Sequence, residues 1–269
     1  MLKISKKIQF SSEENKMNSI ANTKIARNLY YSAQSQNVKF LLKKRFSWMN
    51  KFIKENDSGI EVGSGAGFSK DFINNKNFKT TDLGHDEHLD FKNIDAQNTG
   101  FKNESFDYVI ASNMIHHIPF PIKFFKEMQR ILKKNGRLII FESHCSIIFQ
   151  IATALMRHEG FDFTLNVWDE EKPKSDENNA WHGNIAVPHL IFDDEEGYKK
   201  NLGNIFKKEY DKFTECFIFL NSGGVTSKTK YIPMNIFFLN MLHLIDKILV
   251  KLFPSIFCMG RRIVLRKIN

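Results

Sequence analysis

The amino-acid sequence predicts an α/β fold in which helices cover a largely parallel sheet. Three observations carry this. Between residues 57 and 143, short apolar runs of strand length alternate with amphipathic helix patterns. The first run enters a glycine-rich turn, Gly63-Ser64-Gly65-Ala66-Gly67. The chain has 269 residues, 42% hydrophobic and 26% charged, which excludes disordered and fibrous classes and suits one enlarged domain or one domain plus an insertion.

The elements follow in order. Residues 18–54 read as helical, because Val38, Leu41, Leu42, Phe46, Met49 and Phe52/Ile53 recur at three- and four-residue steps. Asn56-Asp57-Ser58-Gly59 breaks that pattern. Gly59–Val62 is the first strand, Phe68–Asn74 a helix, Phe78–Leu83 a second strand ending around Asp82, and Leu89–Phe91 a short third one. Phe106–Ala111 is the fourth strand. Pro121–Lys134 is a helix closed by Asn135-Gly136 as its C-cap, and Arg137–Phe141 a fifth strand ending at Glu142. Beyond residue 143 the rhythm breaks. Ser146–His158 reads as a helix, 159–200 as acidic and irregular, Phe213–Leu220 and Arg261–Lys267 as late strands, and Pro233–Phe253 as a helix.

Charge is unevenly placed. Residues 1–54 carry twelve Lys/Arg against Glu13 and Glu14, a balance of +10. Residues 221–269 carry eight against Asp246, a balance of +7, so with a net charge of +9 the middle is acidic. Basic ends suit an anionic surface. With no RNA-binding motif, zinc finger or base-reading basic helix, no nucleic-acid partner is expected. Cys145, Cys216 and Cys258 lie far apart, which argues against a disulfide framework and for a reducing cytoplasm. Met1–Phe10 has lysines without a following apolar run, so no signal peptide is expected. The stretch from Asn235 to Phe253 is interrupted by Asn240, His243, Asp246, Lys247 and Lys251, too polar to span a membrane.

The string Glu61-Val62-Gly63-Ser64-Gly65-Ala66-Gly67 meets only half of the dinucleotide fingerprint, since Phe68 stands where glycine or alanine is needed. Its form, with Asp82, Asp95-Ala96, the segment Ser105–Ile118 and the run Phe125–Ile140, resembles the class I S-adenosylmethionine-dependent methyltransferases of the methyltransferase-11 type. The resemblance implies a Rossmann-like, doubly wound, mostly parallel seven-stranded sheet whose last strand is antiparallel. It implies S-adenosyl-L-methionine as cofactor, with Glu61 at its amino-acid end, Asp82 at the ribose and Asp95 at the adenine. Gly63, Ser64, Gly65, Gly67, Leu83, Ala96 and Asn113 complete the implied contacts. The chemistry of the acids agrees, because carboxylates suit hydroxyls, an amine and a sulfonium cation and would repel a pyrophosphate. The expected division is 1–56 as a helical extension, 57–143 as the cofactor-binding core, and 144–269 as an acceptor-binding cap with the final strands.

His116 and His117, near the fourth strand's end, are candidate catalytic bases for a hydroxyl acceptor, with His117 preferred. His144 is a weaker candidate for the acceptor pocket. No His/Asp/Glu spacing indicates a metal site. Arg157-His158-Glu159-Gly160, Val167-Trp168-Asp169, Asn184–Pro188 and Asn221-Ser222-Gly223-Gly224 resemble bacterial methyltransferases of the surface-polysaccharide type. A small-molecule or saccharide acceptor, carried on lipid or free, is therefore expected, with oxygen as the methylated atom. Trp168 and Trp181 are candidate stacking surfaces. The wide apolar surface of 232–262 suits burial, a homodimer interface, or peripheral contact at the inner membrane face, and burial is preferred. Two other classes stay open: a dehydrogenase, and a non-catalytic module for interaction or membrane recruitment.

Overall fold

Residues alternate sides along each central strand, so a strand buried on both faces feeds two cores. In the computed structural model, which describes residues 22–32, 36–156, 159–226 and 229–268, this is the organising feature. The strands are β1 (Gly59–Val62), β2 (Phe78–Thr80), β3 (Phe106–Ser112), β4 (Leu132–Ser143), β5 (Phe206–Thr214) and β6 (Gly260–Lys267). They form one sheet in the order β2-β1-β3-β4-β6-β5. β1 pairs parallel with β2 and β3, and β3 with β4, while β6 runs antiparallel to both its neighbours. Val109 and Ala111 face a core shared with α3 (Pro121–Ile131) and α5 (Ala186–Asp193). Tyr108 and Ile110 face the other core, shared with α1 (Thr23–Tyr31) and α2 (Gln36–Phe46). Of the expected helical stretch 18–54, residues 18–21 and 33–35 lie outside the described residues; the rest holds α1, α2 and a 3-10 segment at Ser47–Phe52, and Val38, Leu42, Phe46 and Met49 pack as their spacing implied. The antiparallel last strand is present as well.

Several expectations are corrected. Among the described residues the sheet has six strands where seven were expected; Leu89–Phe91 leaves only an isolated parallel bridge, Thr81 to Phe91. The Asp90 carboxylate accepts the Thr80 N–H at 2.8 Å and so occupies a donor that a strand carbonyl would take. Phe68–Asn74 forms only a 3-10 turn at Phe68–Asp71. Helix α3 ends at Ile131 and runs straight into β4, where Asn135 has φ +62° and the ladder shifts register. The acidic stretch 159–200 holds α5 and α6 (Glu195–Asn201); Pro188 sits in the first turn of α5, where a missing N–H costs little. The expected helix Ser146–His158 is α4 (Ile147–Met156), and Arg157 and His158 lie outside the described residues.

The expected strand Phe213–Leu220 is largely the helical turn α7 (Phe217–Leu220), with β5 upstream of it. Its cause is tertiary. The expected helix at Pro233–Phe253 is α8 (Ile236–Leu252), followed by the short α9 (Pro254–Phe257). Asp246, fully buried on α8, accepts the N–H groups of Cys216, Phe217 and Ile218 at 2.9, 2.8 and 3.1 Å and so caps α7. Asp246→Ala would strand three buried donors. It is expected to lower unfolding stability by about 3 kcal/mol, read from urea denaturation, with Asp246→Asn recovering part of the loss.

Candidate functional site

The order of the strands reverses between β1 and β3, and an open α/β sheet binds ligands beyond the carboxyl ends of its strands at such a point. A cavity of about 900 Å³ lies there. It runs from the glycine loop and Asp82, past Asn113 and His117, to Glu159 and Trp181.

The loop after β1 is shaped for close approach. Gly63 has φ +65°, and a Cβ there would lie 2.9 Å from the Met114 Cβ. Gly65 has φ +50° and open space where a Cβ would project. Its N–H donates to Asp82 Oδ2 at 2.8 Å, and Asp82 Oδ1 accepts from the Gly84 N–H at 2.9 Å. His88 Nε2 donates to the Gly65 carbonyl at 2.8 Å, and Arg27 to the Ala66 carbonyl at 2.6 Å. Gly67, φ +69°, turns the chain past the His88 ring. Ser64, Leu83 and Ala96 line the same cavity as Asp82 and Asp95. Asp95 Oδ1 accepts from the Gln97 N–H at 2.8 Å. Asn113, φ +51°, is tied to β4 by its N–H to the Phe141 carbonyl at 2.7 Å.

Glu61 ends β1 inside the sheet and accepts the Ser69 hydroxyl. Burial, opposed by the hydroxyls of Ser69 and Ser64 and aided by the charge of Asp82, pushes its carboxyl up to about 7. It thus holds a proton for part of the time at neutral pH.

The other end of the cavity is built around two histidines. Glu142 closes β4 with no exposure and is satisfied on both oxygens. Oε1 accepts from the N–H groups of Met114 and Ile115, and Oε2 lies 2.7 Å from His116 Nδ1, which must therefore carry a proton. His116 Nε2 lies 3.4 Å from Glu159. Burial lowers the pKa of His116, but Glu142 and Glu159 outweigh it and raise it to about 10. His117 is the opposite case. Burial first, then the charge of His116, lower it to about 4. Its Nε2 stands 3.6 Å from Glu159 Oε1, and Gly183 gives room for the ring, since a Cβ there would lie 2.9 Å from it. Neighbouring histidines thus take opposite protonation states at neutral pH.

The residues expected at the cofactor and base positions line this one cavity except Gly67, which stands just outside it at the start of the 3-10 turn. Of the stacking candidates, Trp181 lines the cavity, whereas Trp168 packs against the core and donates to Asp194 at 2.7 Å. His144 is buried outside the cavity, stacked on His189 at 4.5 Å. Ser222 and Gly224 of the late glycine pair line the cavity. Sequence reasoning missed His88 and Arg27, which hold the glycine loop, and Glu142 and Glu159, which set the histidine charges. Their partners are distant in sequence and no spacing marks them. Two groups with metal-ligand chemistry also converge from distant segments, His116/His117/Glu159 and His144/His189/Asp193, each with ligand atoms within 4.8 Å. In the second, Arg261 is already paired with Asp193 and with Asp211. Among the described residues no helix is long and apolar enough to cross a membrane.

A glycine loop after the first strand of a doubly wound sheet, with acids at the strand ends, is the arrangement found in class I S-adenosylmethionine-dependent methyltransferases. Residues 61–140 match the family described as a methyltransferase domain, and the fold and motif of this region are those of such enzymes, for which S-adenosyl-L-methionine is the expected cofactor. It is 27% identical over 133 residues to the phosphatidylethanolamine N-methyltransferase of Cereibacter sphaeroides, covering 48% of this chain and 57% of that protein. It is 28% identical over 120 residues to the demethylmenaquinone methyltransferase of Staphylococcus epidermidis, covering 44% of this chain and 47% of the other. The matched part thus spans about half the length of these curated relatives. A solved SAM dependent methyltransferase from Archaeoglobus fulgidus shares the fold at TM-score 0.52 and 13% identity, over 91% of this chain and 99% of that one.

Proposed function

We propose that this chain transfers a methyl group from S-adenosylmethionine to a hydroxyl oxygen of a small-molecule or saccharide acceptor, in the cytoplasm, as a step in building surface polysaccharide. The observation that carries the reading is the neutral imidazole of His117 beside Glu159 at the far end of the cavity. The cofactor, when bound, supplies an electrophilic methyl on a positively charged sulfur. The residues around the glycine loop fit it. Gly63 and Gly65 permit close backbone approach, and Asp82 keeps lone pairs for the ribose hydroxyls beyond those used by Gly65 and Gly84. Asp95 would take the adenine amine and Glu61 the amino-acid end. His117 would accept the hydroxyl proton on the ring nitrogen that does not face Glu159 as the oxygen becomes nucleophilic, and Glu159, beside Nε2, would stabilise the imidazolium. Segment 144–269 would form the acceptor cap, where Glu159, Asp176 and Glu177 can accept hydrogen bonds from sugar hydroxyls and Trp181 offers a flat face.

The same carboxylates favour a second reading, a cationic amine as acceptor, and the name of the Cereibacter relative puts its methyl on nitrogen. The test is calorimetric titration with S-adenosylmethionine, with NAD as control, followed by transfer of labelled methyl to free sugars, lipid-linked sugars and amines. Binding of S-adenosylmethionine alone with label on a sugar supports the reading. Label on an amine selects the second. Binding with no label on any acceptor favours a non-catalytic module, and binding of NAD instead favours a dehydrogenase.

The Glu61 carboxyl makes affinity depend on pH. A cationic amino-acid end prefers the ionised carboxylate, so affinity rises as that group loses its proton. The dissociation constant of S-adenosylmethionine is expected to fall between about pH 5 and about pH 7, with proton release on binding. Titration in two buffers of different ionisation heat measures that release, and Glu61→Gln should abolish it.

A further inference from the structure

Helix α8 has two faces of opposite meaning. Leu239, His243, Asp246 and Val250 are buried on one. On the reverse, Phe237, Met241, Leu244, Ile248 and Leu252 form one stripe at helical spacing, each about half exposed or more (48–63%). Nearby, α4 does the same. Phe149 and Thr153 line the cavity, while Ile151 and Leu155 are 54% and 79% exposed. The two helices are joined beneath by one apolar cluster containing Ile148, Ala152 and Val250. A soluble surface rarely leaves this much large apolar side chain uncovered without a partner.

The charge beside the stripe says which partner. Lys247 and Lys251 are exposed on α8, and the partly exposed Lys44 of α2, next to the exposed Lys43, stands close enough to Lys247 to feel its charge. Burial, and then repulsion from Lys247, Lys43 and Arg262, lowers the Lys44 pKa, which marks a positive field. Asp246 is the one acid of α8, and it is buried and committed to capping α7. A second copy would therefore bring the same lysines and no carboxylate from this helix to meet them. An anionic bilayer offers both an apolar interior and negative headgroups.

We infer that the outer faces of α8 and α4 dock on an anionic membrane surface, with α8 lying in the interface and these lysines on the headgroups. The wall of the cavity formed by α4 then faces the bilayer. On the methyl-transfer reading, on which this clause alone rests, the acceptor is therefore a lipid or a lipid-linked sugar.

The test is flotation of the full chain with phosphatidylcholine vesicles, with and without phosphatidylglycerol, in the absence of cofactor. Two variants accompany it, Leu244→Glu/Ile248→Glu and Lys247→Glu/Lys251→Glu. All four positions are exposed, so thermal melting and the affinity for S-adenosylmethionine should match the parent. The parent is expected to float with the phosphatidylglycerol vesicles, less so at high salt. The lysine reversal should weaken binding at least about tenfold, and the stripe variant should lose it. No flotation of the parent, or flotation unchanged in both variants, overturns the inference. So does a parent dimer in analytical ultracentrifugation that the stripe variant disperses, if the parent ignores vesicles. Vesicle binding without affinity for S-adenosylmethionine would keep this contact and remove the methyl-transfer reading instead.

Discussion

His117→Ala is expected to lower kcat by about 10²- to 10⁴-fold while leaving the affinity for S-adenosylmethionine unchanged. The argument rests on charge. Burial and the neighbouring charged His116 hold His117 down at about 4, so it is unprotonated and ready to accept a proton across the neutral range. The sign of the pH dependence follows. Activity needs the neutral ring, so its rate should be flat near neutrality and fall as pH drops through about 4. In the alanine variant this acid limb should be missing. Glu142→Gln probes the same device from behind. It removes one of the two carboxylates that keep His116 charged, so His116 should lose its proton at lower pH and His117 should be harder to keep neutral. A pH–rate profile of parent and both variants checks these outcomes. Unchanged kcat in His117→Ala would remove the base from the mechanism and favour an acceptor that is already nucleophilic.

The second large effect is at Asp82. Asp82→Ala is expected to weaken binding of S-adenosylmethionine by a factor on the order of 100 to 10,000. Two charge-assisted hydrogen bonds to hydroxyls contribute about 1.5–3 kcal/mol each, and about 1.4 kcal/mol is tenfold in affinity. The same change frees the Gly65 N–H, so the loop loses an anchor as well as a ligand contact. Asp82→Asn keeps an oxygen acceptor and should lose less. Titration calorimetry measures both. Equal affinity in all three proteins would mean that the ribose lies elsewhere.

What could be read from sequence was local or periodic. The glycine string, the acids at the strand ends and the paired histidines stand within a few residues of the strands that aim them, so their positions followed from the pattern. The charges of His116 and His117 did not, because they depend on Glu142 and Glu159, which reach the site from β4 and from the acidic stretch. β5 was misplaced for a related reason. Its sequence Phe206–Thr214 is rich in lysine because it is an edge strand, and the apolar Phe217–Leu220 looked more strand-like until Asp246 capped it. For the apolar surface of α8, burial was preferred over a homodimer interface or membrane contact, and one face of it is exposed. Its apolar periodicity was plain, but periodicity states only that a face exists and not what covers it.

In the ladder, Ser143 at the end of β4 and Thr214 at the end of β5 both stand opposite Gly260 at the start of β6. Residues 215–259 therefore leave and re-enter the sheet at one place, and a tight turn could in principle join the same two strands. Closing a longer connection costs little, about 0.6 kcal/mol for each doubling of its length. The strand pairing is thus insulated from the length of this excursion, although Ser222 and Gly224 within it still line the cavity. Changes on its exposed outer side can alter what the molecule meets there without disturbing the strands beneath.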